Sequence, residues 1–304
     1  MGEKISSKPF LRRSSLIMPA HNERFVAKAH TCGADAICID LEDSVSPHKK
    51  SEARAAVRHA IPLVAKGGAD VLVRINSEWE LAFLDLDAAV APGVTCIQLP
   101  KVDAPETIYA IDKLIEDRER RQGLPPGAIE LAVGMETAKG LVRDMEIACA
   151  SPRIRTISCG IEDLATDLEV ELTDDAWELF YSKTRLVVVA SAHGLQPQGL
   201  VGRVSDYRNL DAFRATALRS RRLGYRGASC IHPDQVAILN EVFSPSEAEI
   251  QRAKKILALG EQAEGLGKGA FGVDGQMADI PTVERARRLL YRAKVIQDRK
   301  DRNK

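Results

Sequence analysis

The stretch AICIDLED, residues 36–43, combines the two properties that decide the fold of this chain. Its first four residues are apolar, and three of its last four are acidic. A nearly continuous apolar run suits a strand that is buried on both faces, as in a parallel sheet covered by helices. The acidic end predicts that this strand stops where the sheet meets solvent.

Short apolar runs of this kind recur along the chain, at 15–20, 70–76, 95–102, 130–137, 156–163, 195–201 and 227–233. Between them lie stretches with a helical spacing of apolar residues, among them 46–67, 104–123 and 175–194. Eight strands that alternate with helices predict an α/β fold, the (β/α)8 TIM barrel. An open doubly wound sheet is the alternative, because the number of strands does not distinguish the two.

The same pattern sets the expected domain boundaries. Residues 1–13 are interpreted as an N-terminal tail, residues 14–243 as the catalytic barrel, and residues 244–304 as a C-terminal helical extension or lid. Two long helical patterns occupy this extension, at 244–265 and 281–300. About 60 residues are too few to bury a core alone, so we expect the extension to pack on the barrel or on a neighbouring subunit.

Composition narrows the classes of partner. The formal net charge is zero, so no global basic field attracts nucleic acid or an anionic membrane. The sequence contains no run of about 18 apolar residues, so we expect no membrane-spanning helix. The six cysteines form no CxxC pair, and most of them lie in apolar runs, which predicts reduced thiols in a cytoplasmic protein.

Charged residues collect where the predicted strands end, and these residues are Asp40, Glu42, Asp43, Arg74, Glu136, Glu162 and Asp163. The carboxyl ends of barrel strands meet at one face, where active sites lie. Any single acid could instead cap the following helix. Acids that converge from three strands would repel one another without a cation, and Mg²⁺ prefers carboxylate oxygens and water. The pattern therefore indicates a metal site.

Arg74 has two possible roles at this face. It could neutralise Asp40 or Glu42 within the protein. It could also present its guanidinium to a substrate carboxylate or to a developing oxyanion. Its position at the barrel rim favours the second role.

Several motifs carry a family resemblance, in particular IDLEDSV (39–45), VRIN (73–76), ETAKGL (136–141), EDL (162–164) and IHPDQ (231–235). Their order and spacing resemble the citrate lyase beta subunit and its relatives, the malyl-CoA, citramalyl-CoA and β-methylmalyl-CoA lyases of the HpcH/HpaI aldolase family. The resemblance spans about residues 12–290. It implies a barrel with a C-terminal helical extension, assembled as a homotrimer or hexamer. It also implies Mg²⁺-dependent cleavage of a 3-hydroxyacyl-CoA into an acyl-CoA and a 2-oxo acid.

The resemblance assigns roles to the acids and to Arg74. Glu136 and Asp163 correspond to the Mg²⁺ ligands, and Glu136 is expected to contact the substrate as well. Arg74 corresponds to a catalytic residue that binds substrate. The acids expected to hold metal-bound waters are Asp40, Glu42 and Asp43.

Further roles fall outside this cluster. Arg24 and Lys28 stand where relatives bind the phosphates of coenzyme A. Asp279, within QMADIP, corresponds to a catalytic aspartate that enters a neighbouring subunit's active site and exchanges a proton with the acyl carbon. On the seventh strand, Gln198 and Gly199 replace an isoleucine–aspartate pair of many relatives, so we expect altered substrate contacts there.

Three functions remain open at this point. The first is an acyl-CoA lyase of the malyl-, citramalyl- or citryl-CoA type, which Arg24, Lys28 and Asp279 favour. The second is a class II aldolase that acts on a free hydroxy-oxo acid, which the altered seventh strand leaves open. The third is a non-catalytic subunit that binds a metabolite, against which the complete metal pair argues.

Overall fold

The computed structural model describes residues 10–203 and 208–302, so residues 1–9 of the predicted tail lie outside the described part of the chain. Eight parallel strands follow one another around a ring in the order β7-β6-β5-β4-β3-β2-β1-β8. Their bounds are β1 Ser14–Pro19, β2 Ala36–Asp40, β3 Asp70–Arg74, β4 Cys96–Leu99, β5 Glu130–Gly134, β6 Ile154–Ser158, β7 Gln196–Gln198 and β8 Ala228–Cys230. A parallel bridge between Gln198 and Gly227 joins the two ends of the sheet. The predicted (β/α)8 barrel is confirmed, and the open sheet is excluded.

Helices connect these strands along the outside of the barrel. Their bounds are α1 Glu23–Ala29, α2 Lys50–Ala65, α3 Trp79–Ala89, α4 Pro105–Arg121, α5 Ala138–Val142, α6 Asp144–Ala148, α7 Ile161–Asp167, α8 Phe180–His193, α9 Leu210–Leu223 and α10 Pro233–Val242. No helix in the described ranges is long and apolar enough to cross a membrane.

The alternation of side chains along β2 explains how the barrel is filled and where its charges point. Ile37 and Ile39 belong to the large apolar cluster that unites the strands with the helices. Ala36 and Cys38 instead join a small cluster with residues of neighbouring strands, the filling of the barrel interior. Successive residues of a strand face opposite sides, so Asp40 shares the inner side of the strand with Ala36 and Cys38. The last residue of β2 therefore points into the barrel mouth.

Buried ion pairs lie at the opposite end of the barrel, where the strands begin. The side chain of Arg12 is buried, and its guanidinium pairs with Asp70 at 2.7 Å and with Glu130 at 2.8 Å. Arg13 pairs with the buried Asp35 at 2.7 Å. Both arginines fall within the predicted N-terminal tail, yet Arg12 is paired with residues of β3 and β5, and Arg13 with the residue before β2.

Seven of the eight strands are shorter than the sequence predicts, and for β6 this places two acids in the following helix. The predicted strand 156–163 ends at Ser158, and Glu162 and Asp163 lie in the first turn of α7. The assignment of these two acids to the strand was wrong. Acidic side chains are favourable in the first turn of a helix because the helix dipole is positive there.

Residues 244–302, together with Phe10 and Leu11, form a second compact unit. It contains α11 (Glu247–Gly265), an antiparallel hairpin of β9 (Ala270–Val273) and β10 (Gln276–Asp279), and α12 (Ile280–Arg302). The two helices agree with the predicted helical extension, but the hairpin was not predicted. A small apolar cluster that includes Ile256 and Val273 holds the helices and the hairpin together.

Candidate active site

A cavity of about 290 Å³ lies at the carboxyl ends of the barrel strands. Seven residues singled out by the sequence line it, namely Asp43, Arg74, Glu136, Glu162, Asp163, Gln198 and Gly199. Their convergence follows from the barrel, because the ends of all eight parallel strands meet at this face.

Glu136 lies deep in this cavity, two residues after the end of β5. Its carboxylate fits against two glycines. A Cβ atom built on Gly160 would lie 2.7 Å from Glu136 Oε1, and one on Gly134 would lie 3.0 Å from it. The Lys101 backbone N–H donates a hydrogen bond to Glu136 Oε2 at 3.1 Å. Two small residues and one amide therefore fix the place of the carboxylate.

The electrostatics of this carboxylate suit a cation. Burial raises the pKa of Glu136, and the negative charge of Asp163 adds to this effect. A bound cation would offset both the loss of hydration and the repulsion between the two acids. Within residues 10–203 and 208–302, no group of three or more His, Cys, Asp or Glu is placed to hold a metal. Two carboxylates are a donor set that fits Mg²⁺, an ion that takes one or two carboxylates and keeps several waters.

Arg74 is held by a two-point ion pair with Asp40. Its Nε and Nη2 atoms donate to the two carboxylate oxygens of Asp40, each at 2.7 Å, and its Nη1 atom lies 3.1 Å from Glu42 Oε2. Burial acts to raise the pKa of Asp40, but the charge and hydrogen bonds of Arg74 bring this pKa below its ordinary value. Asp40 also accepts a hydrogen bond from the Ser44 backbone N–H. It does not line the cavity itself, and its contact with the cavity is through Arg74.

Lys101 also belongs to this cluster of charges, although the sequence analysis did not single it out. Its ammonium lies 2.5 Å from Glu42 Oε1, 3.2 Å from Asp43 Oδ1 and 3.4 Å from Asp163 Oδ1. Its φ of 51° is a left-handed conformation that is uncommon for a lysine. The signal was present, because Lys101 follows β4 as a charged residue at a strand end.

Glu42 is the most buried acid in contact with this ammonium. Burial raises the pKa of Glu42 to about 7, and the neighbouring Asp43 acts in the same direction. The charges of Arg74 and Lys101 oppose this rise. The acids of the IDLEDSV motif are thus held by two cations at the rim of the cavity.

Gln198 ends β7, whereas Gly199, predicted on the same strand, directly follows it. Gln198 is buried, and its Oε1 atom accepts a hydrogen bond from the Gln196 amide at 2.7 Å. Gly199 has a φ of 142°, and a Cβ atom there would lie 3.4 Å from the Tyr225 ring. The pair therefore presents an amide and a backbone to the cavity, and no charge.

Two further predicted residues of the barrel unit, Arg24 and Lys28, do not line the cavity. Arg24 and Lys28 are exposed on α1, four residues apart and so on one face of that helix. Asp279 belongs to the second compact unit, where its Oδ1 atom accepts from the backbone N–H of Thr282 at 3.2 Å and from its hydroxyl at 2.9 Å. Within its own unit, Asp279 caps the start of α12.

Comparison with known proteins agrees with this geometry. The HpcH/HpaI aldolase/citrate lyase family matches residues 13–233. The chain belongs to this family. The class of enzyme expected from the sequence, a carbon–carbon lyase, is confirmed with it.

Individual relatives within the family cover nearly the whole chain. The citrate lyase subunit beta of Leuconostoc mesenteroides subsp. cremoris is 34% identical over 281 residues, which is 92% of this chain and 92% of that protein. The L-malyl-CoA/beta-methylmalyl-CoA lyase of Cereibacter sphaeroides is 32% identical over 308 residues, or 93% of this chain and 95% of that protein.

A solved structure extends the likeness to three dimensions. It is protein CitE from Mycobacterium tuberculosis in complex with magnesium, acetoacetate and coenzyme A. Its TM-score is 0.75 at 27% identity, and the match covers 94% of this chain and 100% of that chain.

Proposed function

We propose that this chain is a Mg²⁺-dependent lyase that cleaves a 3-hydroxyacyl-CoA thioester into an acyl-CoA and a 2-oxo acid. The observation that carries the proposal is the joint placement of Glu136, Asp163 and Arg74 in one cavity at the barrel mouth. The names of the relatives, which include citrate lyase and malyl-CoA lyase, support this substrate class.

Glu136 and Asp163 would hold the metal. When bound, Mg²⁺ supplies Lewis-acid stabilisation of the oxygen charge that develops as the carbon–carbon bond breaks. Glu42 and Asp43 would accept hydrogen bonds from water around the ion, since Lys101 and Arg74 already hold them at the rim.

Arg74 would donate hydrogen bonds to the oxygen that gains charge. A donor aimed in advance stabilises a transition state without the cost of reorientation. The two-point pair with Asp40 provides that fixed aim. Asp40 therefore acts as a positioning residue in this proposal.

In cleavage the substrate hydroxyl would give up its proton to a water molecule and become the carbonyl of the 2-oxo acid, and the electron pair of the broken carbon–carbon bond would remain on the thioester enolate. Asp279 would protonate the enolate carbon, or remove that proton in the reverse direction. We propose that it is supplied by a neighbouring subunit of a homotrimer or hexamer. Arg24 and Lys28 would bind coenzyme A phosphates, and the protein would work in the cytoplasm.

The test is a cleavage assay with purified protein, Mg²⁺ and three thioesters, malyl-CoA, citramalyl-CoA and citryl-CoA, together with a free hydroxy-oxo acid. We expect release of a 2-oxo acid from at least one thioester, and loss of this release in EDTA. Cleavage of the free acid alone would indicate the aldolase. Inactivity throughout, with tight binding to a protein partner, would indicate a non-catalytic subunit.

A further inference from the structure

Lys183 is a buried cation in the wall of the candidate active site. It belongs to α8, it lines the cavity, and only 1% of its surface is exposed. Its ammonium donates a hydrogen bond to the Cys159 carbonyl at 2.5 Å. Among the described residues, no carboxylate lies within ion-pair distance of this ammonium. One of its three N–H donors is therefore used, and two are available.

The position of Lys183 is set by the core of the barrel. The Tyr225 hydroxyl donates a hydrogen bond to the Lys183 carbonyl at 3.0 Å, and Tyr225 is itself fully buried. The acceptor of the ammonium, Cys159, directly precedes Gly160, the residue that contacts Glu136. Both ends of Lys183 are thus attached to rigid parts of the site.

A lysine in this environment is unfavourable for the free protein. Lysine side chains usually extend their ammonium to water. An ammonium buried without a carboxylate loses its hydration, and no ion pair compensates for that loss. Burial accordingly lowers the pKa of Lys183, although the more distant charge of Glu136 opposes this effect. Lys101, by contrast, contacts three carboxylates. Among the described residues that line the cavity, Lys183 is therefore a cation in contact with no carboxylate.

We propose that Lys183 is an anion-binding residue of the active site, which selects 2-oxo acids that carry a second carboxylate. This inference rests on the proposed function, in which Glu136, Asp163 and Arg74 serve the first carboxylate and the reacting oxygen. A second carboxylate would accept the two remaining N–H donors of Lys183. The other reading is that Lys183 only balances the charge of Glu136.

The matched probes are oxaloacetate and pyruvate, which differ by one carboxylate. Their dissociation constants from the Mg²⁺-loaded protein are measured by titration calorimetry with freshly dissolved acids. We expect oxaloacetate to bind at least about tenfold more tightly than pyruvate, the effect of one charge-assisted hydrogen bond. A ratio near one in the wild-type protein overturns the proposal without any variant.

Two variants assign the preference to this residue. Lys183→Met should bring the ratio to within about threefold, mainly by weakening oxaloacetate, whereas Lys183→Arg should retain the preference. Lys113→Met, at an exposed lysine of α4, serves as the control and should leave the ratio unchanged. Thermal melting of each variant checks that it is folded.

The outcomes separate this inference from the proposed function. An unchanged ratio in Lys183→Met, or an equal loss for both acids, overturns the role of Lys183 while the lyase proposal stands. A change in Mg²⁺ affinity with no change in the ratio also overturns it, in favour of simple charge balance with Glu136. Failure of the wild-type protein to bind either acid with Mg²⁺ contradicts the proposed function itself.

Discussion

Gly160 contacts Glu136 so closely that a Cβ atom on Gly160 would lie 2.7 Å from Glu136 Oε1. The missing side chain at position 160 leaves the space that the carboxylate occupies. The φ of Gly160 is −63°, which any residue can adopt, so the requirement for glycine comes from the carboxylate and not from the backbone.

Gly160→Ala should therefore damage the metal site and spare the fold. The Glu136 side chain can rotate away from the new methyl group, but its carboxylate then leaves the position beside Asp163. We expect Mg²⁺ affinity to fall about 10- to 100-fold, the usual effect of disturbing a residue that orients a ligand. Calorimetric titration with Mg²⁺ measures this. Gly265→Ala, which meets nothing within 4 Å, is the control, and equal Mg²⁺ affinity in both variants would contradict the argument.

Removal of either proposed metal ligand should abolish Mg²⁺-dependent turnover and leave the barrel folded. Glu136→Gln and Asp163→Asn keep the size of each side chain but remove the charge that a hard cation requires. The matched control is Glu162→Gln, since Glu162 lines the same cavity and is paired with Arg203 at 3.1 Å. Activity assays over a range of Mg²⁺ concentrations test this, and unchanged activity in either ligand variant would reject the metal assignment.

The ion pair of Asp40 and Arg74 predicts a specific pH dependence of stability. The pKa of Asp40 is lower in the folded protein than in the unfolded chain, so the pair stabilises the fold above the ordinary aspartate pKa of about 4. This contribution is lost as the pH falls through the folded-state pKa. Asp40→Asn removes the two-point partner of the partly buried Arg74, which keeps only its contacts with Glu42 and Asp43, and we expect a loss of about 3 kcal/mol at pH 7.

Denaturant unfolding of wild-type protein and Asp40→Asn between pH 3 and pH 7 measures this difference. It should be constant at the upper end of the range and shrink below about pH 4. Glu52→Gln, which breaks an exposed pair with Lys49, should change little. A difference that grows on acidification would refute the assignment.

Two variants separate the capping role of Asp279 from its proposed role as an acid. Asparagine accepts the cap hydrogen bonds from Thr282 as well as aspartate does, but it does not exchange the proton. Asp279→Asn should therefore retain the melting temperature and lower turnover by about 10²- to 10⁴-fold. Thr282→Val, which weakens the cap and keeps the acid, should show the opposite pattern.

Mixed oligomers test whether Asp279 acts across subunits. Co-expression of two inactive chains, Asp279→Asn and Glu136→Gln, should restore part of the activity if one subunit supplies the acid to another. Full turnover by the Asp279→Asn protein alone would mean that Asp279 serves only as a helix cap.

Arg24 and Lys28 should affect binding of coenzyme A and not of the 2-oxo acid. Each contributes an exposed charge on one face of α1, so we expect each alanine variant to weaken coenzyme A about three- to tenfold, and less so at high salt. Lys66→Ala, an exposed lysine just after α2, is the control. Equal effects on coenzyme A and on pyruvate would argue against a phosphate site on this helix.

The sequence alone predicted the barrel and much of its chemistry because both depend on local patterns. A continuous apolar run that ends in acids is a property of neighbouring residues, so AICIDLED predicts a strand buried on both faces, and β2 is buried throughout. Glu136, Asp163 and Arg74 were predicted as a group because the carboxyl ends of parallel strands must meet. Position along the chain therefore determined the set of acids at the mouth.

Only the tertiary structure decided which of these charges face one another. Asp40 supports Arg74 from behind, Lys101 lies among three acids, and Lys183 is buried without a carboxylate partner in the described chain. These partners come from different strands and helices, and closure of the ring sets the distances between them. The requirement for glycine at position 160 could not be predicted from the sequence either. It arises from contact with Glu136, which lies 24 positions earlier in the sequence.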